Sequence, residues 1–137
     1  MKKIAPIVLA VAAVALASFA CALSNKEASV TNVRMAHDQD GLDVTTTFAP
    51  TDVFYVVAEL KNAPKGTVIK AKWAVVDVPG IETPPEFPEQ SIDITESSVS
   101  KTFYFKLSNG FDWPVGSYRV EIYLNDTLSQ SLNFNVE

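Results

Sequence analysis

From Ser29 to the end of the chain, apolar and polar residues alternate with a period of two, and no stretch carries a sustained helical period. The spacing predicts strands over Ser29–Met35, Asp43–Phe48, Val53–Leu60, Thr67–Val76, Ser91–Thr95, Val99–Leu107, Ser117–Leu124 and Thr127–Val136. Turn chemistry separates them: Asp38-Gln39-Asp40-Gly41, Ala63-Pro64-Lys65-Gly66, Asn109-Gly110 and Asn125-Asp126. Asn125-Asp126 tolerates the left-handed backbone of a two-residue hairpin, so the last two strands are expected to pair antiparallel. One region breaks the rhythm. Asp77–Gln90 holds Pro79, Pro84, Pro85 and Pro88, and a segment so poor in backbone donors has no place in a central strand.

Alternation also assigns faces. Ile69, Ala71, Trp73 and Val75 point one way while Lys70 and Lys72 point to water; Tyr118, Val120, Ile122 and Leu124 alternate with Ser117, Arg119 and Glu121. Phe103, Phe105 and Leu107 oppose Tyr104 and Lys106, and Leu128, Leu132, Phe134 and Val136 oppose Ser129, Ser131, Asn133 and Asn135. Val53–Leu60 is apolar on both faces, as a central strand is, with Phe54, Val56, Ala58 and Leu60 expected inward. Tyr55 and Tyr104 make an outward pair on strands expected to be neighbours. Many short strands bounded by such turns indicate an all-β antiparallel sandwich of about seven to eight strands.

Two residues narrow the architecture. Trp73 sits mid-strand on the third core strand, and Gly116-Ser117-Tyr118-Arg119-Val120 has the form of a tyrosine corner, in which a Tyr hydroxyl bonds to backbone upstream, here near Phe111–Trp113. The chain thus resembles an immunoglobulin-like or fibronectin-like domain over residues 29–137. Val120, and Val57 or Ala58, stand where antibody domains carry their disulfide. Three phrases, Phe48-Ala49-Pro50-Thr51-Asp52, Asn62-Ala63-Pro64-Lys65-Gly66-Thr67 and Trp113-Pro114-Val115-Gly116-Ser117-Tyr118, are similar to those of a recurring class of small exported bacterial and archaeal domains, many of them lipoproteins or modules of larger surface proteins. That likeness implies fold and location, and no functional residues.

The first twenty-one residues add an address to the domain. Met1-Lys2-Lys3, an apolar run from Ile4 to Ala17, and Ser18-Phe19-Ala20-Cys21 have the layout of a signal peptide. Ala20 and Cys21 suit lipoprotein processing, but Ser18 stands where Leu is usual and Phe19 where a small residue is usual. Ordinary signal peptidase is satisfied by Ser18/Ala20 or by Ala20/Ala22. Cys21 is the only cysteine, and a lipid on it would account for an otherwise free exported thiol. The reading adopted is a signal peptide over 1–20, cleavage before a lipidated Cys21, and a short polar tether over 21–28. The alternatives are ordinary cleavage, or an uncleaved anchor, for which a run of about seventeen residues containing Pro6 is marginal.

Removing residues 1–20 takes Lys2 and Lys3 with it, leaves 117 of the 137 residues, and lowers the formal charge from −5 to −7. That length suffices for one core and not for two. An acidic domain is a poor partner for nucleic acid or for anionic lipid. With one cysteine, no disulfide can close within the chain, and packing must supply the stability.

Candidate chemistry is sparse. His37 is the only histidine and reads as a solvated turn residue, with no cysteine ligand for zinc and no Ser/His/Asp constellation. The five glycines are scattered one per turn, so no phosphate loop exists. Asp38, Asp40 and Asp43 around Gly41 supply calcium-type ligands, but placing Gly41 at the glycine of a calcium loop puts Ala36 first and Thr47 last, both unsuitable. Glu86 and Glu89 lie close enough in the proline-rich loop to face each other, but read as part of an acidic exposed loop. The better binding candidates are the loop residues Phe87, Phe111, Asp112 and Trp113, whose rings would suit a sugar or a peptide. Against this, Trp113-Pro114 reads better as a plug closing the end of the core, because Pro114 fixes the entry to a core strand and a Trp there would pack well. The expectation is a non-enzymatic, cofactor-free module at the cell envelope, held to the membrane through Cys21, with a protein or glycan partner. A soluble carbohydrate- or peptide-binding sandwich is the alternative, and an enzyme a distant third.

Overall fold

A computed structural model describes residues 27–97 and 99–137, so the predicted signal peptide, Cys21 and most of the tether lie outside the described residues. The described residues form eight strands and no helix: β1 (Ser29–Ala36), β2 (Thr47–Phe48), β3 (Phe54–Ala63), β4 (Val68–Asp77), β5 (Gln90–Asp93), β6 (Val99–Leu107), β7 (Gly116–Leu124) and β8 (Thr127–Val136). They make a three-stranded sheet ordered β1-β3-β6 and a five-stranded sheet ordered β2-β8-β7-β4-β5. Every neighbouring pair is antiparallel except β2 with β8. This is an immunoglobulin-like β-sandwich.

The core lies between the sheets. Phe54, Val56, Ala58 and Leu60 are fully buried, as the alternation of β3 requires, and its central place between β1 and β6 explains why Val57 on the other face is buried as well. Ile69, Ala71 and Trp73 meet Leu124, Ile122 and Val120 across the β4–β7 ladder. Phe48, Phe54 and Phe134 pack edge to face at 4.8–5.6 Å, and Tyr118 stacks on Phe134 at 5.7 Å. At about 1.5–3 kcal/mol for each large apolar side chain withdrawn from water, such a set offsets chain entropy without a cross-link.

Bulges let the strands keep apolar residues inward where simple alternation fails. Val30 and Met35 are an odd number apart, yet both are buried, because the β1–β3 register shifts between Thr31 and Arg34 at Asn32, whose φ is 50°. Leu60 and Ala63 are reconciled in the same way at Asn62, with φ 53°. Asn is the non-glycine residue best suited to this left-handed backbone.

Three expectations need correction. The strand predicted over Asp43–Phe48 shrinks to Thr47–Phe48, because the segment is shared between sheets. Val44 bridges Ala36 and the Thr45 N–H donates to the Met35 carbonyl at 3.0 Å, while Thr46 already accepts from Asn135 N–H at 2.9 Å in the other sheet. Leu128, predicted inward, is 51% exposed. A bulge after Ile122 pairs Leu128 with the outward Tyr123 and so turns it off the core face. The tyrosine corner forms, but the Tyr118 hydroxyl donates to the Pro114 carbonyl at 2.6 Å and not to residues 111–113.

Candidate functional site

The loops that follow β1, β2, β4 and β6 gather at one end of the sandwich, and they carry every loop candidate singled out above. Pro114 fixes the approach to β7, and Gly116 completes it. At Gly116 φ is 154°, and a Cβ would lie 2.5 Å from the Asp77 carbonyl oxygen, so only glycine allows β7 to pass this close to β4. The chain before Pro114 is thereby directed inward. Trp113 donates its backbone N–H to the Pro50 carbonyl at 2.7 Å and its indole N–H to the Asp52 carbonyl at 3.0 Å. Its ring stacks on Phe54 at 4.6 Å and meets Tyr118 edge-on at 6.1 Å. Trp113 is 5% exposed. It plugs the core.

The other loop candidates separate from it. Phe87 is half-buried and covers Trp113 edge-on at 6.0 Å. Phe111 is 83% exposed, and Asp112 beside it faces solvent. The four residues therefore do not form one continuous recognition surface. An apolar recess of about 280 Å³ does lie between Phe87, Pro85, Ile81, Val75, Trp113 and Tyr118. Tyr55 and Tyr104 pair on the outer face of the small sheet, ring centroids 6.0 Å apart.

His37 has more partners than the sequence indicates. Its Nδ1 lies 2.9 Å from Asp43 Oδ2, its Nε2 lies 3.3 Å from Asp52 Oδ2, and its ring packs edge-on against Phe48 at 5.2 Å. Asp52 belongs to a different turn, brought close by the step of the chain from one sheet to the other. No local spacing signals that pairing. With a carboxylate near each nitrogen, the imidazole links two turns.

The calcium-type cluster is also spent on the fold. The Asp38 carboxylate accepts from the backbone N–H of Asp43 at 2.9 Å and of Leu42 at 3.1 Å, and these donors hold its carboxyl below the ordinary aspartate value. Asp43 faces His37. The Asp40 and Gly41 carbonyls accept from Arg34 at 3.3 and 2.9 Å. Among the described residues, no group of three or more His, Cys, Asp or Glu side chains is placed to hold a metal ion. In the proline-rich loop, Glu89 pairs with Lys70 at 3.4 Å and with Lys72 at 3.3 Å.

No protein-family model and no curated protein matches the chain. Solved structures do. An immunoglobulin-like protein from Pseudomonas aeruginosa aligns at TM-score 0.53 and 10% identity, over 83% of this chain and 99% of that one. A Pseudomonas fluorescens alkylpurine DNA glycosylase bound to DNA containing an abasic site analog aligns at TM-score 0.52 and 11% identity, over 81% of this chain and 30% of its own. A Listeria innocua β-glucosidase aligns at TM-score 0.53 and 14% identity, over 80% of this chain and 16% of its own. The chain thus spans less than a third of either enzyme. At these identities the likeness is one of fold alone.

Proposed function

We propose that this protein is an exported, lipid-anchored, non-enzymatic module of the cell envelope, with a structural or interaction role. The observation that carries the reading is the burial of Trp113. A tryptophan in solvent beside Asp112 would favour a loop-based binder, whereas this ring closes the sandwich against Phe54 and Tyr118. The packing of His37 between two turns, against Phe48, supports a structural role for that residue. The address rests on the first twenty-one residues of the sequence, with Cys21 as the lipid acceptor and residues 22–28 as a tether of at most about 25 Å when extended.

Metabolic labelling with a fatty-acid probe tests the anchor. Wild type should take up the label and sediment with membranes, and Cys21→Ser should do neither. A labelled Cys21→Ser, or an unlabelled wild type released into the medium, would sink the lipid anchor. A second reading, a carbohydrate- or peptide-binding sandwich, is favoured by one feature, the solvent-exposed Phe111 next to Asp112.

A further inference from the structure

The outer edge of the five-stranded sheet is only half paired. β5 covers β4 from Val68 to Ala71 and stops, because the register begins at Gln90 and the residues preceding it include Pro84, Pro85 and Pro88. Prolines have no N–H to give a ladder. Among the described residues, no backbone hydrogen bond joins residues 82–89 to β4. The side of β4 turned away from β7 therefore keeps unpaired backbone groups from Lys72 to Val75.

Beside that edge runs a groove of about 540 Å³. It touches Lys72, Trp73, Ala74 and Val75 in succession. Successive strand residues face opposite sides of a sheet, so a space that meets all four lies along the edge and not on a face. Its far wall is Pro84–Phe87 and Glu89. Four strand residues span about 13 Å, the length of one short extended segment.

We propose that this edge receives a short extended segment of a partner protein, which pairs with Lys72–Val75 in the line that β5 vacates and carries a Lys or Arg opposite Glu86. Backbone pairing supplies the affinity in such strand addition, and side-chain pockets the selectivity. The charge follows from the rim. Lys72 and Lys70 are neutralised by Glu89 and Asp126 together, while Glu86 has no ion-pair partner among the described residues. A second copy of this chain is a poorer occupant, since two such edges brought together would set Glu86 and Glu89 of one copy against those of the other. The site stands whether or not Cys21 carries a lipid.

The test is selection of random linear octapeptides on the purified full chain, with synthetic versions of the enriched peptides measured by fluorescence anisotropy. Enriched sequences should be β-branched or aromatic at alternate positions with one Lys or Arg. Their binding should weaken at least tenfold on Pro84→Thr/Pro85→Val/Pro88→Thr, in which the strap regains the donors to fill the edge itself. Glu86→Lys should weaken the basic peptides at least fivefold and not the same peptides with Glu in place of the Lys or Arg. Thermal melts of each variant at or above wild type keep misfolding from imitating the result. No enrichment over an uncoated surface, or peptides that bind the triple variant equally well, would overturn the proposal. So would a concentration-dependent dimer by sedimentation that the triple variant abolishes, since the edge would then serve copies of this chain.

Discussion

The two ends of the sandwich are closed by different chemistry. Where β4 begins, the Asn125-Asp126 hairpin docks on the first residue of that strand: Asn125 N–H donates to the Val68 carbonyl and Val68 N–H to the Asn125 side chain, both at 2.9 Å, and Asp126 pairs with Lys70 at 2.7 Å. Thr67 adds a hydroxyl bond to the Pro64 carbonyl at 2.7 Å, and Gly66 and Ile94 join the adjoining turns. At the opposite end polar bonds tie the loops together, but the seal itself is a buried ring cluster of Phe48, Phe54, Trp113 and Tyr118. Polar turns give local, replaceable stability, each bond worth about 1 kcal/mol. Buried rings place several kcal/mol in single residues. One end should therefore tolerate substitution that the other does not.

The strongest challenge to that contrast is Trp113→Ala, which should cost about 3–5 kcal/mol in denaturant unfolding. A loss below 1 kcal/mol would mean that the aromatic end is not sealed by this ring. Trp73→Ala, in the middle of the core, should fall in the same range of about 3–5 kcal/mol. Tyr118→Phe keeps the ring and leaves the Pro114 carbonyl unpaired, so it should cost about 1–3 kcal/mol. Tyr104→Phe, exposed and without a hydroxyl bond among the described residues, should stay within about 0.5 kcal/mol. It is a cleaner control than Tyr123, whose hydroxyl bonds to Glu121.

At the polar end, Asn125→Ala should cost about 1–2 kcal/mol, since φ is 48° there and the bond to Val68 is lost. Equal losses for Asn125→Ala and Trp113→Ala would erase the contrast. The smallest effect is electrostatic and separates the ends by salt. Asp126 is held below the ordinary aspartate value by its bond to Lys70, and Asp38 by backbone N–H groups, that of Asp43 first. A lowered folded value means stability that is complete above the ordinary value of 3.8 and lost as the pH falls through the lowered one. High salt should screen the Lys70–Asp126 part and leave the Asp38 part. Melting curves of Asp126→Asn and Asp38→Asn between pH 5 and 2.5, at low salt and at about 1 M, where the screening length is near 3 Å, should show that split.

The strands were legible in the sequence because alternation and turn residues agree over most of the chain. Trp73 and Tyr118 gave the sandwich its type. The two strand misses share one cause, a change of sheet or of register that no single-strand pattern records. Asp43–Thr46 has the composition of a strand, but its partners lie in two sheets. Leu128 falls in step with Leu132, Phe134 and Val136, but one bulge turns it outward. At the candidate site, Phe111 and Trp113 look alike two residues apart, and only the tertiary bonds to Pro50 and Asp52 send one ring inward. The His37–Asp52 pairing and the open edge of β4 depend on which segments meet, and local composition is silent on that.

The parallel pairing of β2 with β8 bears on the order of assembly. Phe48 lies beside Val136, and Thr46 and Phe48 accept from Asn135 and Glu137. The first strand to enter the large sheet is thus fastened by residues synthesised long after it. Hairpins such as β7–β8 can form locally, but the edge at β2 waits for the last ladder to exist, and contacts of such separation slow folding. A chain emerging from a ribosome in order would remain incompletely closed until residues 134–136 were available. On the export proposed above, late closure would keep the chain threadable during transit across a membrane and leave its final compaction to the far side.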